Sequence, residues 1–279
     1  MILVTGGAGF IGSRLCARLA ALGRKVISLD DYSTGSTDNH VAGVDYRHGH
    51  TRAIAALVPE PPSQIFHLGE FARVELSFAR EQAVLASNRD GTEAVFDYWL
   101  GHRCKIVYAG SSTRFACDGS QSPYSLTKRD NADRLMALGR THRLAHAVAY
   151  FYNVYGPGER AGASGTLIEI FRQQRLAGAK LTVVAPGTQR RNFTHVDDIV
   201  DGLLLVAEHG IGAFAIGAAE SYSVRHVAMM FGGAVEMLPS RKGNRFASSL
   251  DTSRIQALGW KQKRRLVEYV NTLLGERAA

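Results

Sequence analysis

The opening twelve residues, Met1-Ile2-Leu3-Val4-Thr5-Gly6-Gly7-Ala8-Gly9-Phe10-Ile11-Gly12, constrain the fold more than any other stretch. Ile2, Leu3 and Val4 form an apolar run too short for a helix and suited to a buried strand. Glycines follow at 6, 9 and 12, and then Ile11, Leu15, Leu19 and Leu22 recur at helical spacing. Strand, glycine turn and helix together begin a dinucleotide-binding unit. Gly6 permits the tight turn, Gly9 lets backbone approach a pyrophosphate, and Gly12 lets the helix pack close on the strand. The helix N-terminus offers free N–H groups to phosphate oxygens. A second strand, Lys25 to Leu29, ends in Asp30, 18 residues after Gly12. An acid there accepts hydrogen bonds from ribose hydroxyls and repels a 2′-phosphate, which favours NAD over NADP.

Strand and helix signals then alternate. Val44–Arg47 reads as a third strand, Thr51–Val58 as a short helix closed by prolines, and Gln64–Leu68 as a fourth strand. The loop Gly69-Glu70-Phe71-Ala72-Arg73-Val74-Glu75 sits at that strand's carboxyl end, where open α/β sheets bind ligands. Ala83–Leu100 reads as one long helix with Asn88 as a surface polar residue. Cys104–Ala109 reads as a fifth strand tipped by Ser111, Tyr124–Arg140 as a helix opened by Pro123, and Ala147–Tyr152 as a sixth strand. Six such alternations predict an α/β fold, a doubly wound parallel sheet. The pattern changes after Gly156-Pro157-Gly158. This predicts two interleaved units: residues 1–157 with 188–217 as a dinucleotide-binding domain, and 158–187 with 218–279 as a smaller substrate lobe.

Tyr124 and Lys128 stand four apart on one helix and so share a face. A free phenol, with a pKa near 10, is a poor base at neutral pH; a neighbouring ammonium and a positive nicotinamide ring both favour phenolate. Ser111, on the adjacent strand end, can bond the same substrate oxygen. The trio predicts removal of a hydroxyl proton while hydride leaves the same carbon for NAD.

Composition excludes more than it selects. The net charge of +8 raises nucleic-acid binding, but the 33 basic residues are spread along the chain, with no basic tail and no interleaving of arginines and aromatics. A small anionic ligand accounts for the sign, and Lys261-Gln262-Lys263-Arg264-Arg265 reads as a solvated surface. Three scattered cysteines argue for a reducing compartment and against a disulfide framework or metal site. No apolar run approaches a membrane span, so a cytoplasmic protein without membrane or nucleic-acid partners is expected.

These motifs resemble the NAD-dependent nucleotide-sugar epimerase/dehydratase family of extended short-chain dehydrogenases/reductases. The likeness runs through Thr5–Gly12, Leu29–Gly35, Phe66-His67-Leu68, Ser111-Ser112, Tyr124–Lys128, Phe151–Pro157, Arg191–Asp198, Arg241–Asn244, Asp251–Arg254 and Leu258-Gly259-Trp260. It implies that Gly6, Gly9, Phe10, Ile11, Gly12, Asp30, Asp31 and Leu68, with Tyr124 and Lys128, hold NAD. It implies that Ser111, Tyr124 and Lys128 perform the chemistry, and that Arg73, Ser112, Asn153, Arg191 and Arg241 contact a UDP-sugar or other nucleotide-diphosphate sugar. The arginines would clamp the diphosphate. A homodimer is expected.

The chain also departs from the family. Ser112 and Thr113 stand where 4,6-dehydratases carry Asp-Glu, which disfavours loss of a carbon-6 hydroxyl. Ser111 and Tyr124 are only 13 residues apart, a short loop that reshapes the sugar pocket. Tyr150 replaces a usual arginine, and His50-Thr51 stands where an adenine-touching aspartate is common. Glu70, Arg73, Glu75 and Cys117 fall near the site; Glu75 or Cys117 as a further acid or base is weighed against a structural or solvated role. The leading expectation is a UDP-hexose 4-epimerase working through a transient 4-keto sugar. A dehydratase using the same intermediate is the alternative, and a non-catalytic NAD-binding regulator a third.

Overall fold

The computed structural model describes residues 1–115, 121–160, 162, 165–240 and 249–275. The first half runs β1 (Ile2–Thr5), α1 (Phe10–Ala21), β2 (Val26–Asp30), β3 (Val44–His48), α2 (Ile54–Leu57), β4 (Gln64–His67), α3 (Val74–Ser77), α4 (Glu81–Val84), α5 (Thr92–His102), β5 (Lys105–Ser111) and α6 (Pro123–Thr141). It continues through β6 (His146–Phe151), β7 (Val154–Tyr155), α7 (Leu167–Leu176), β8 (Leu181–Val184), β9 (Arg190–Asn192), β10 (Thr194–His195) and α8 (Val196–His209). The chain then closes with β11 (Gly212–Ile216), β12 (Ser221–Ser223), α9 (Val224–Phe231), β13 (Val235–Leu238), α10 (Ser253–Ala257) and α11 (Leu266–Gly275).

Seven strands form one sheet in the order β11-β6-β5-β4-β1-β2-β3, and every pairing in it is parallel. This is the doubly wound sheet expected, with β11 as a seventh strand beyond the six anticipated. Alternation along each strand splits the core. Ile2, Val4, Phe66 and Val107 pack with Leu15 and Leu19 of α1 and Ile199 and Leu203 of α8. Leu3, Ile65, Ile106 and Val148 pack on the other face with Val95 and Trp99 of α5 and Leu135 of α6. A third cluster joins Phe171 of α7, Leu181 of β8, Val227 and Phe231 of α9, and Leu266 and Val270 of α11. Three two-stranded sheets (β10 with β7, β12 with β9, β13 with β8) complete that part.

Three local readings change. The long helix holds a seven-residue π-helical stretch, Leu85–Gly91, between α4 and α5. Asn88, expected at the surface, lies in it fully buried. The widened turn carries its amide inward, where it exchanges hydrogen bonds with the backbone of Phe71 (2.7 and 3.1 Å). The helix anticipated over Thr51–Val58 is a 3-10 turn, Thr51–Ala53, followed by the single turn of α2. The basic run at 261–265 is more than a solvated surface. The backbone N–H groups of Lys263 and Arg264 both donate to Oδ2 of the fully buried Asp198 (3.0 Å each), and Arg264 Nη1 reaches Oδ1 at 2.7 Å. A buried carboxylate needs such donors, so the run closes the chain's end onto α8. No described helix is long and apolar enough to cross a membrane.

Candidate active site

The carboxyl ends of β1, β2, β4 and β5 open onto one continuous cavity of about 420 Å³, a size suited to small-molecule sites. Gly6, Gly9, Phe10, Ile11, Gly12, Asp30, Asp31, Leu68, Arg73, Ser111, Ser112, Tyr124, Lys128 and Asn153 all line it. Arg191 does not. It lies in β9 opposite Tyr222 of β12, with its Nη1 donating to the Arg190 carbonyl at 2.8 Å. Arg241 and Cys117 fall outside the described residues.

The glycine turn is built as its spacing requires. Gly6 has φ +73° and a side chain there would meet the backbone of Gly69 at 2.8 Å; a Cβ on Gly12 would fall 2.0 Å from the Gly6 carbonyl oxygen. Helix α1 begins at Phe10 with no acidic residue in its first turn, so its unpaired N–H groups keep their pull on anions. At the tip of β2, Asp30 accepts from Ala8 N and Tyr32 N, both at 2.9 Å, one on each oxygen. Burial nevertheless pushes this carboxyl up. Each oxygen keeps a lone pair for a ribose hydroxyl. The open helix end and the acid with free lone pairs share one cavity, and the residues present fit NAD.

Across the cavity, α6 is fixed at its start. Ser122 caps it reciprocally with Ser125, and Pro123 occupies the first turn. Tyr124 and Lys128 follow on one face. Ser111 ends β5, is 8% exposed, and accepts from Thr113 Oγ1 at 3.0 Å.

Beneath Lys128 lies a buried polar chain that sequence reasoning missed. Lys128 Nζ donates to Glu70 Oε2 and to the Ala109 carbonyl (2.7 Å). Glu70 Oε1 accepts from Thr92 Oγ1 (2.7 Å), Asn131 Nδ2 (2.9 Å) and Tyr108 OH (3.1 Å). Since the Thr92 hydroxyl is spent on Glu70, its oxygen receives the Nε2–H of His67 (2.9 Å). His67 Nδ1 then accepts from the Thr5 hydroxyl (2.7 Å), and Thr5 Oγ1 accepts from Gly69 N (3.0 Å). This order requires a neutral His67, whose pKa burial pushes down to about 4. For Glu70, burial pushes upward, but the Lys128 ammonium and the hydrogen bonds donated by Lys128 and Thr92 bring its carboxyl below the usual range.

The far end of the cavity is lined by Glu159, Arg160 and the start of α7, Thr166 to Ile168, none of which the sequence reading singled out. The α7 N-terminus has no side-chain cap, and the carboxylate of Glu169 in its first turn is matched by Arg172 Nε and Nη2 (2.7 and 2.9 Å) and Gln173 Nε2 (2.8 Å), so this second helix end can still take an anion. Glu159 accepts from Gly156 N (3.0 Å) and from Thr166 Oγ1, and burial pushes its carboxyl up to about 7. Asn153, at φ +26°, donates to the Asn192 carbonyl at 3.3 Å. Glu159 stands directly after Gly156-Pro157-Gly158, and that position was the available signal for it.

The model of the NAD dependent epimerase/dehydratase family matches residues 2–217. The chain is 30% identical, over 95% of both chains, to the UDP-glucose 4-epimerase of Mycolicibacterium smegmatis. It is 31% identical to UDP-glucuronic acid decarboxylase 6 of Arabidopsis thaliana, over 74% of this chain and 66% of that one. The structure of Thermotoga maritima UDP-glucose 4-epimerase with UDP-glucose superposes with a TM-score of 0.90 at 26% identity, covering 99% of this chain and 98% of that one.

Proposed function

The chain belongs to the NAD-dependent epimerase/dehydratase family, and on that footing we propose that it is a UDP-hexose epimerase acting at sugar carbon 4. One observation carries the reading. Tyr124, Lys128 and Ser111 line the same cavity as the glycine turn and Asp30, and Ser112 and Thr113, not acids, follow Ser111. The set supports redox at an alcohol carbon and lacks, beside Ser111, a donor for a departing hydroxyl.

Bound NAD supplies the acceptor, and later the donor, of the carbon-4 hydride. Tyr124, as phenolate, takes the proton of the carbon-4 hydroxyl while Ser111 bonds the same oxygen. The C–H and O–H bonds break and a carbonyl forms. The flat keto sugar turns its other face, and Tyr124 then returns the proton to the oxygen as the C–H bond re-forms. Residues 1–157 with 188–217 hold the cofactor in this reading, and 158–187 with 218–279 grip the substrate. The second helix N-terminus, at α7, supports it as a seat for the substrate diphosphate.

A second reading concerns the sugar. Arg73 lines the cavity, and among the described residues no hydrogen bond or ion pair engages its guanidinium. A carboxylate on the sugar would complete it, which favours a UDP-hexuronic acid. A coupled assay of purified protein against UDP-hexose and UDP-hexuronate 4-epimer pairs tests both. Turnover of neither pair sinks the epimerase; loss of water or of carbon dioxide from the product, read by mass, identifies a dehydratase or a decarboxylase instead.

A further inference from the structure

Lys128 is 7% exposed at its side chain and Glu70 not at all. An ammonium removed from water this far is costly unless a counter-charge and full hydrogen bonding accompany it. Glu70 supplies the charge, and the Ala109 carbonyl takes a second N–H. An ammonium has three donors, so one N–H remains for the cavity that Lys128 lines.

The carboxylate is in turn held against rotation. Thr92, Asn131 and Tyr108 all donate to Oε1, which leaves Oε2 for Lys128. The donors arrive from three elements, α5, β5 and α6. The chain through Thr92, His67 and Thr5 runs in one direction from Gly69 N to Glu70. With Lys128 donating to Oε2, it ends consistently only on an ionised acid, since a proton on either oxygen would then meet a donor already there. The tie therefore spans from the end of β1, where the cofactor turn begins, to the helix that carries Tyr124.

We propose that Glu70 is a positioning residue for the reaction: it holds Lys128 as an ammonium and aims its one remaining N–H into the cavity. The proposal rests on reading Tyr124 and Lys128 as the proton-transfer pair. Glu70 touches neither substrate nor cofactor in this role; it acts through Lys128.

Two readouts, one independent of turnover, test it on the full-length holoenzyme. In E70Q the ammonium is left buried without its counter-charge and sheds its proton more readily. The alkaline limb of the kcat profile should move about two pH units lower. The 13C-lysine NMR signal of Lys128, assigned by its absence in K128R among the chain's seven lysines, should move with it. If limb and signal stay at the parent's pH while kcat alone falls, Glu70 is only structural and the proposal is overturned. If the signal moves but the parent turns over no nucleotide sugar, the functional reading fails and the Glu70–Lys128 tie stands. Should E70Q not fold, K128M reads the same tie from the other side. Glu70 should then carry a proton at pH 7, seen as a protonated-carboxyl infrared band absent from the parent; absence of the band overturns the proposal.

Discussion

Gly12→Ala probes the glycine turn directly, and with it the proposed seat of the cofactor. The added Cβ would stand 2.0 Å from the Gly6 oxygen, 2.8 Å from the Gly6 carbonyl carbon and 2.9 Å from Gly7 Cα. All three are backbone atoms, so no rotamer change relieves the clash. Contacts under 3.0 Å are essentially never tolerated, so α1 must withdraw from the turn by about 1 Å, an overpacking that costs about 1–3 kcal/mol. At about 2–4 °C per kcal/mol for a chain near this size, the melting temperature should fall by roughly 2–12 °C. The same shift draws the N–H groups of α1 away from the pyrophosphate; one lost hydrogen bond to a charged group, about 1.5–3 kcal/mol, weakens NAD binding by roughly 10–150-fold. Isothermal titration of apoprotein with NAD, alongside calorimetric melting, measures both. Gly23→Ala is the control. Gly23 has φ +70° with nothing within 4 Å of a built Cβ, so it should lose about 1–2 kcal/mol to backbone strain and keep parental NAD affinity. Parental NAD affinity in Gly12→Ala, or equal losses of affinity in the two variants, would refute the reasoning.

Tyr124→Phe should lower kcat by about 10²–10⁴-fold while NAD titration stays at the parental Kd; loss of NAD binding instead would mean that the phenol serves the cofactor rather than the proton. Glu159 is held up to about 7 by burial, against 4.5 for an ordinary glutamate. Because the folded value is raised, its stabilising share is full below pH 4.5 and lost as pH rises through 7. The parent should therefore melt progressively lower than Glu159→Gln between pH 5 and 8. UDP-glucose affinity, measured by titration with a diphosphate that does not itself ionise in this window, should weaken in the parent only, since the carboxylate bonds Thr166 where α7 begins. Asp198→Ala strands two backbone N–H groups and one end of Arg264. It should cost about 2–4 kcal/mol, roughly 5–15 °C of melting temperature. Arg264→Ala, which removes a side chain that is 39% exposed, should cost less; the reverse order in calorimetry would be inconsistent with a carboxylate held chiefly by backbone.

What was legible in the sequence shares one property. The glycines at 6, 9 and 12, Asp30 at the tip of β2, Ser111 at the end of β5, and the Tyr124–Lys128 pair each have their meaning set within one strand, one turn or one helical face. Periodicity and spacing report such neighbours directly. What escaped reading has its partner far along the chain. Lys128 and Glu70 are 58 residues apart, and Arg264 and Asp198 are 66 apart. Asn88 looks like any polar residue in a helix until the π-helical turn carries it under Phe71. A buried polar residue carries no periodic signature, because what licenses its burial is a set of donors or acceptors that only the folded sheet brings together. The cost of burying Glu70 alone is large enough that Thr92, Tyr108, Asn131 and Lys128 must all arrive for it to stay charged. The Tyr124–Lys128 pair, the most readable feature of the sequence, is therefore seated on its least readable one. Substitutions at Thr92 or Asn131, which touch neither Tyr124 nor the glycine turn, should for that reason reach the chemistry through Lys128.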